Sequence, residues 1–167
     1  MAWQHVSIEQ QGRVALVRFD RKDGRNAMSR ALMRELLEAA QSFDEDDETS
    51  AIVLTGAPEV FTVGFDLRDP SLPRFATAGL SARRRTVQIG PRLCRAWEAL
   101  APFTIVAIEG YCVGGGAALS VACDFRVCAE NAIIYVPEIN RGMNMSWQSL
   151  PRFVNLVGPA RAKQIVI

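Results

Sequence analysis

The 167-residue chain is long enough for one domain with a sizeable core, and its 49% hydrophobic content supplies the material for it. A formal net charge of +1 argues against a general electrostatic footprint for nucleic acid, and no apolar run is long enough to span a bilayer. Met1 to Glu9 lack a basic region followed by an apolar core, so the expected compartment is the cytoplasm, where Cys94, Cys112, Cys123 and Cys128 stay reduced. With His5 as the only histidine and no C-x-x-C pair, neither a zinc site nor a histidine-dependent triad is expected.

Val6 to Glu9 and the valine-rich Arg13 to Phe19 predict two strands that pair across Gln10-Gln11-Gly12. Asp20 to Asn26 read as a polar turn. Ser29 then N-caps a predicted helix with Leu32, Met33, Leu36, Leu37, Ala40 and Phe43 on one face. The acidic run Asp44 to Glu48 reads as a solvated loop with no metal role. Ala51 to Thr55 is the next buried strand, and in the loop from Gly56 to Leu67 the residue Gly64 suits a tight or positive-φ turn. Arg68 to Gly79, interrupted by Pro70 and Pro73, is expected to be an irregular, lid-like segment. Arg83 to Arg85 open a predicted helix carrying Val87, Leu93, Cys94, Trp97 and Leu100, with a kink or restart at Gly90-Pro91. Those arginines read either as a solvated face or as a contact for ligand phosphates.

Ile105 to Ile108 form a short apolar run that reads as a buried strand. It passes through Glu109-Gly110-Tyr111 into Gly114, Gly115 and Gly116, and then into a small-residue helix pattern from Ala117 to Ala122. The first N–H groups of a helix have no carbonyl partner within it, and glycines remove the side chains that would hold a ligand away. Such a turn can accept a phosphate, a carboxylate or an oxyanion that exists only during reaction, or it can simply let a helix pack closely on a sheet. It is not a dinucleotide fingerprint or a phosphate loop, because G-x-G-x-x-G is absent and no Lys-Ser/Thr pair follows the glycines.

Phe125 to Cys128 and Ala132 to Val136 predict two short strands joined by a turn at Glu130-Asn131, and Pro137-Glu138 follows directly. On its own, a carboxylate in that position reads as a cap or a salt-bridge partner. Val154 to Ile167 carry a helical pattern, with Pro159 suited to a first helical position. Strand-strand-helix, strand-loop-helix and strand-turn-helix in succession predict an α/β wrap of repeated units.

Four pieces together resemble the crotonase superfamily of enoyl-CoA hydratases and isomerases. They are Arg25-Asn-Ala-Met28, Phe61-Thr-Val-Gly-Phe-Asp-Leu67, Glu109 to Gly116 running on to Cys123-Asp124, and Pro137-Glu-Ile139 with Leu156-Val-Gly158. Their order and spacing match over essentially the whole chain. The resemblance implies a crotonase-like spiral of repeated ββα units, with residues 1–167 forming the core domain without the family's C-terminal helical part. It implies an acyl-CoA or enoyl-CoA substrate, no prosthetic group, coenzyme A present only as part of the thioester, and a trimer-based homo-oligomer. By matching motifs, the N–H groups of Phe65 and Gly115 would form an oxyanion hole for the thioester carbonyl. Arg25, Ala27, Asp66 and Leu67 would cradle coenzyme A, with Arg25 the candidate for its phosphates.

The resemblance also makes Glu138 the acid/base residue. Two-glutamate hydratases of the family carry another in the helix after the glycines, where this chain has Ala118. A single carboxylate suffices to move a double bond by taking a proton from C2 and returning it at C4, so the pattern resembles the family's isomerases. The alternatives are a hydratase whose second acid is Asp66 or Asp69, and a non-catalytic acyl-CoA-binding or assembly module associating through apolar surface around Leu156, Ile165 and Ile167.

Overall fold

The structure, a computed structural model, describes residues 3–167, apart from the side chains of Pro73 and Phe75. Its strands are β1 (Val6–Gln11), β2 (Val14–Phe19), β3 (Ala51–Thr55), β4 (Phe103–Ile108), β5 (Tyr111–Val113), β6 (Phe125–Cys128) and β7 (Ile133–Tyr135). Its helices are α1 (Arg30–Gln41), α2 (Leu72–Thr77), α3 (Leu80–Val87), α4 (Ile89–Glu98), α5 (Gly115–Ser120) and α6 (Ser149–Val166). The hairpin β1-β2 is antiparallel, and from β2 onward the five-stranded sheet in the order β1-β2-β3-β4-β6 is parallel. Parallel neighbours require crossovers, which α1 supplies between β2 and β3 and α2 to α4 supply between β3 and β4.

Strand alternation buries Ala15, Val17, Phe19, Ile52, Leu54, Val106 and Ile108, in one cluster with Leu32, Met33 and Leu36 of α1 and Leu93 and Trp97 of α4. Each fully buried large aliphatic or aromatic side chain there contributes about 1.5–3 kcal/mol. Trp97 Nε1 donates to Leu36 O at 3.2 Å, so the indole packs into the core without leaving its donor unmet. The N-cap of α1 is Ser29, as its sequence suggests, with Ser29 Oγ accepting from Leu32 N at 3.2 Å. Asp124 fastens β4 to the end of the α5 crossover by accepting from Thr104 N and Thr104 Oγ1, both at 2.8 Å.

Several elements differ from the sequence expectation. The segment expected to be irregular from Arg68 to Gly79 contains α2, because Pro73 falls in a first turn, where a helix needs no N–H donor. The expected break near Gly90-Pro91 comes two residues earlier, at Gln88 between α3 and α4, and it leaves Val87 exposed while Leu93, Cys94 and Trp97 are buried. The turn expected over Glu109-Gly110-Tyr111 is shorter, because Tyr111 already opens a strand, β5. β6 and β7 do not pair with one another: β6 joins β4 in the main sheet, and β7 pairs in parallel with β5 to form a second sheet. In α6 the axis breaks at Gly158 (φ 76°, ψ 162°), and Pro159 takes the first position of the resumed helix, as expected. Among the described residues no helix is long and apolar enough to cross a membrane.

Candidate active site

The loop after β3 is laced to the segment before α1. Met28 N donates to Gly64 O (2.8 Å), Asp66 N to Met28 O (3.1 Å) and Val63 N to Arg25 O (3.2 Å). Buried Asn26 anchors both, its Nδ2 donating to Phe19 O (3.0 Å) and Phe61 O (2.8 Å). In a parallel bridge alternate N–H groups face opposite ways, so pairing Met28 through Gly64 O and Asp66 N leaves Phe65 N turned to the other side. Among the described residues Phe65 N donates to nothing.

The glycine turn supplies the facing wall. Gly114 N donates to Tyr135 O at 2.8 Å, which hangs the turn from β7, and Gly114 has φ 51° and ψ −105°, a conformation closed to other residues. Gly115 is the first residue of α5, so its N–H has no acceptor within the helix. Gly64 has φ 90°, and a Cβ placed on it would stand 2.7 Å from Val113 O and 3.6 Å from Gly115 N. The two loops therefore touch at Gly64, and the unpaired N–H groups of Phe65 and Gly115 belong to adjoining backbones.

Glu138, between β7 and a short 3₁₀ turn at Ile139–Arg141, leans over this junction: a Cβ on Gly114 would meet Glu138 Oε1 at 2.7 Å. Its Oε2 is buried with no hydrogen-bond partner. Burial disfavours the charged form and pushes the carboxyl above its ordinary range, against a smaller opposing effect of its own backbone N–H.

These groups line one cavity of about 600 Å3. Arg25, Ala27, Phe65, Asp66, Leu67, Gly115 and Glu138, all singled out from the sequence, lie on its lining, as does Ala118. Arg25 is exposed, and its charge acts on the Asp23 carboxylate two residues away. Asp66 is held by Arg21, whose Nη1 donates to Asp66 Oδ2 at 2.7 Å, while Asp66 Oδ1 accepts from Arg68 N at 2.9 Å. Asp69 does not line the cavity. It is 4% exposed, with Oδ2 accepting from Arg30 N (2.7 Å) and Oδ1 from Ser71 N (2.8 Å) and Ser71 Oγ. Burial alone would raise its carboxyl, but these hydrogen bonds outweigh that and hold it low, so Asp69 is a carboxylate that keeps its charge. None of Arg83 to Arg85 lines the cavity, and none of the helix they sit on is buried.

Sequence reasoning missed the opposite rim: Tyr111, Tyr135, Arg141, Met143 to Met145 and Trp147. Nothing in their spacing marks them, because they reach the cavity through the second sheet and the loop after Glu138. Cys94, Cys112 and Cys123 are free and buried, and burial pushes each thiol up to about 12, which leaves them inert in the core. Among the described residues no group of three or more histidine, cysteine or acidic side chains is placed to hold a metal ion.

A sequence profile of enoyl-CoA hydratase/isomerase matches residues 9–167. The chain belongs to the enoyl-CoA hydratase/isomerase family. It is 31% identical to a probable enoyl-CoA hydratase of Rhizobium meliloti (strain 1021), over 100% of this chain and 62% of the relative. It is 32% identical to the mitochondrial Delta(3,5)-Delta(2,4)-dienoyl-CoA isomerase of Mus musculus, over 89% of this chain and 47% of that protein. Its fold superposes on the crystal structure of enoyl-CoA hydratase from Bacillus anthracis with a TM-score of 0.87 at 30% identity, covering 98% of this chain and 62% of the other. The α/β arrangement described above is thus the crotonase fold, and the chain spans less than two thirds of the length of these family members.

Proposed function

We propose that this chain acts on coenzyme A thioesters of unsaturated acids and moves a double bond by proton transfer through Glu138. The observation that carries the reading is the Glu138 carboxylate: half-buried, with Oε2 unpartnered, and set against the glycine turn at the cavity. A carboxyl raised above its ordinary range by burial, with a free oxygen, is suited to taking up and returning a proton.

With a 3-enoyl thioester in the cavity, the Glu138 carboxylate removes a proton from C2. The electron pair moves into the carbonyl, giving a dienolate whose oxygen lies between Phe65 N–H and Gly115 N–H. Those donors are fixed before the substrate arrives, so they favour the charged oxygen of the dienolate over the neutral carbonyl of the ground state. Protonated Glu138 then returns the proton to C4, the carbonyl re-forms, and the product is the 2-enoyl thioester. Coenzyme A extends past Ala27, Asp66 and Leu67, and Arg25 offers an exposed cationic end to a phosphate.

Adding water instead would ask one group to activate the water that attacks C3 and another to manage the proton that goes to C2. Ala118 has none, Asp66 is ion-paired with Arg21, and Asp69 lies away from the cavity in its own hydrogen-bond set. These facts favour isomerase chemistry over hydration. Ultraviolet assays of the purified chain should show isomerisation of 3-enoyl-CoA and little or no hydration of crotonyl-CoA, and Ala118→Glu should raise hydration. Rapid hydration by the parent chain, unchanged by Ala118→Glu, would overturn the isomerase reading.

A further inference from the structure

The indole of Trp147 spans the gap between α4 and the glycine turn. A Cβ on Gly115 would lie 2.7 Å from its Cη2 and 2.9 Å from its Cζ3, and a Cβ on Gly90 would collide with Cε2 and Nε1 at the other end of the ring. Gly90 is therefore explained as clearance for this ring rather than as a helix breaker. The backbone under the ring is constrained as well. Trp147 and Gln148 have φ of 57° and 59°, left-handed values that cost a side-chain-bearing residue about 1 kcal/mol or more each and persist only where the surroundings impose them.

Arg152 imposes them here. It is 9% exposed, and its Nη1 donates to Gln148 O at 2.9 Å and Trp147 O at 3.3 Å, while its Nε donates to Glu98 Oε1 of α4 at 2.8 Å. Arg95 of the same helix donates to Gln148 Oε1 at 2.9 Å. The turn is thus clamped to the helix whose glycine receives the ring, which gives a built wall in place of a loose loop.

Resting on the proposed function, a carbonyl oxygen accepting from Gly115 N–H lies about 3 Å from that nitrogen. The carbon chain attached to it then begins within a few bonds of the benzo edge of Trp147. We infer that Trp147 is a specificity-determining wall that ends the acyl site between α4 and the glycine turn and restricts the chain to short acyl thioesters of the crotonyl or butyryl class. Arg152 is its positioning residue, acting through the carbonyls of Trp147 and Gln148.

Calorimetric titration of the purified 167-residue chain with butyryl-, octanoyl- and dodecanoyl-CoA tests this. Even one methylene that fits or fails in an apolar pocket changes affinity roughly tenfold or more. Butyryl-CoA should therefore bind at least about tenfold more tightly than dodecanoyl-CoA, and Trp147→Ala should improve octanoyl-CoA binding by a similar factor. A second measurement does not depend on that variant folding. Butyryl-CoA should change the tryptophan emission of the wild-type chain, and Trp147→Phe should abolish this change while binding persists. Equal affinity for all three thioesters, or an emission change that survives Trp147→Phe, overturns the wall and leaves the proposed function standing. Failure of every thioester to bind overturns both.

Discussion

In the loop after β3, the oxygens of Asp66 and Asp69 are committed to neighbours: Arg21 and Arg68 for the first, Arg30 and Ser71 for the second. In the segment after β7, Glu138 keeps a buried oxygen with no partner. The three carboxylates look alike in the sequence, and two border the same cavity. What separates them is the partner set. At Asp69 hydrogen bonds outweigh burial and hold the carboxyl low, whereas at Glu138 burial is only partly offset by its own backbone N–H and the carboxyl is raised. On the proposed reading, an acid whose oxygens are already committed is the weaker candidate for a second catalytic group.

The largest expected effect comes from removing the unpartnered group. Glu138→Gln keeps the shape and deletes the base, so turnover of enoyl-CoA should fall by about 10²–10⁴-fold. In the wild-type chain the rate should decline as pH falls through a value above the usual carboxylate pKa of about 4.3, because the base must be ionised. The stability sign is the reverse. A carboxyl raised in the folded state contributes stability below its unfolded pKa and loses it as pH rises through the folded one. Glu138→Gln should therefore melt higher than wild type near neutral pH and level with it in acid. A variant that keeps full turnover would erase the contrast between the two regions.

Next in size is the junction of the loops. Gly64→Ala meets a φ of 90° and places its Cβ 2.7 Å from Val113 O. The strain should cost about 1–3 kcal/mol of stability. A shift of about 1 Å in Phe65 N–H should lower turnover by roughly 10²-fold. Denaturant melts and steady-state kinetics on the same preparation separate the two losses.

Much of this junction is legible in the sequence, because its constraints are local. A positive-φ glycine before Phe65, a glycine run opening a helix and an N-cap at Ser29 are all short-range chemistry. Strand partnership is not local. β6 and β7 are adjacent in the chain with similar apolar patterns, yet they enter different sheets, since a period of two says which face is buried and nothing about the neighbour. The Trp147 wall is equally silent, as it depends on Gly90 and Arg152, which meet only in the folded molecule. The role of Asp69 needs the structure too, because its donor Arg30 N lies 39 positions away.

Asp69 offers the converse test of the comparison. Asp69→Ala strands the part-buried N–H donors of Arg30 and Ser71 and should cost about 1 kcal/mol or more, read from a denaturant midpoint, with turnover per folded molecule nearly unchanged. A carboxyl lowered in the folded state stabilises above its unfolded pKa of about 3.9 and loses that contribution as pH falls through the folded value. The gap between wild type and variant should therefore be widest at neutral pH and close in acid. A large loss of turnover at unchanged stability would return Asp69 to the list of acids.

The smallest effect is expected at Arg25. Its side chain is exposed and among the described residues acts only on the exposed Asp23 carboxylate, so its removal leaves no buried partner behind and should move the melting temperature little. Its only proposed role is attraction to a phosphate of coenzyme A at the cavity rim, and an exposed charge pair of that kind is worth about 0.2–1 kcal/mol. Arg25→Gln should accordingly weaken binding of an acyl-CoA by no more than about fivefold at low salt. Because the Debye length shrinks from about 30 Å at 0.01 M to about 3 Å at 1 M, the difference should vanish as salt is raised. Affinity for the same acyl group on a pantetheine thioester without the nucleotide should be identical in the two proteins. A salt-independent loss, or one shared by the pantetheine thioester, would mean that Arg25 shapes the loop held by Val63 N and Arg25 O instead of meeting a phosphate.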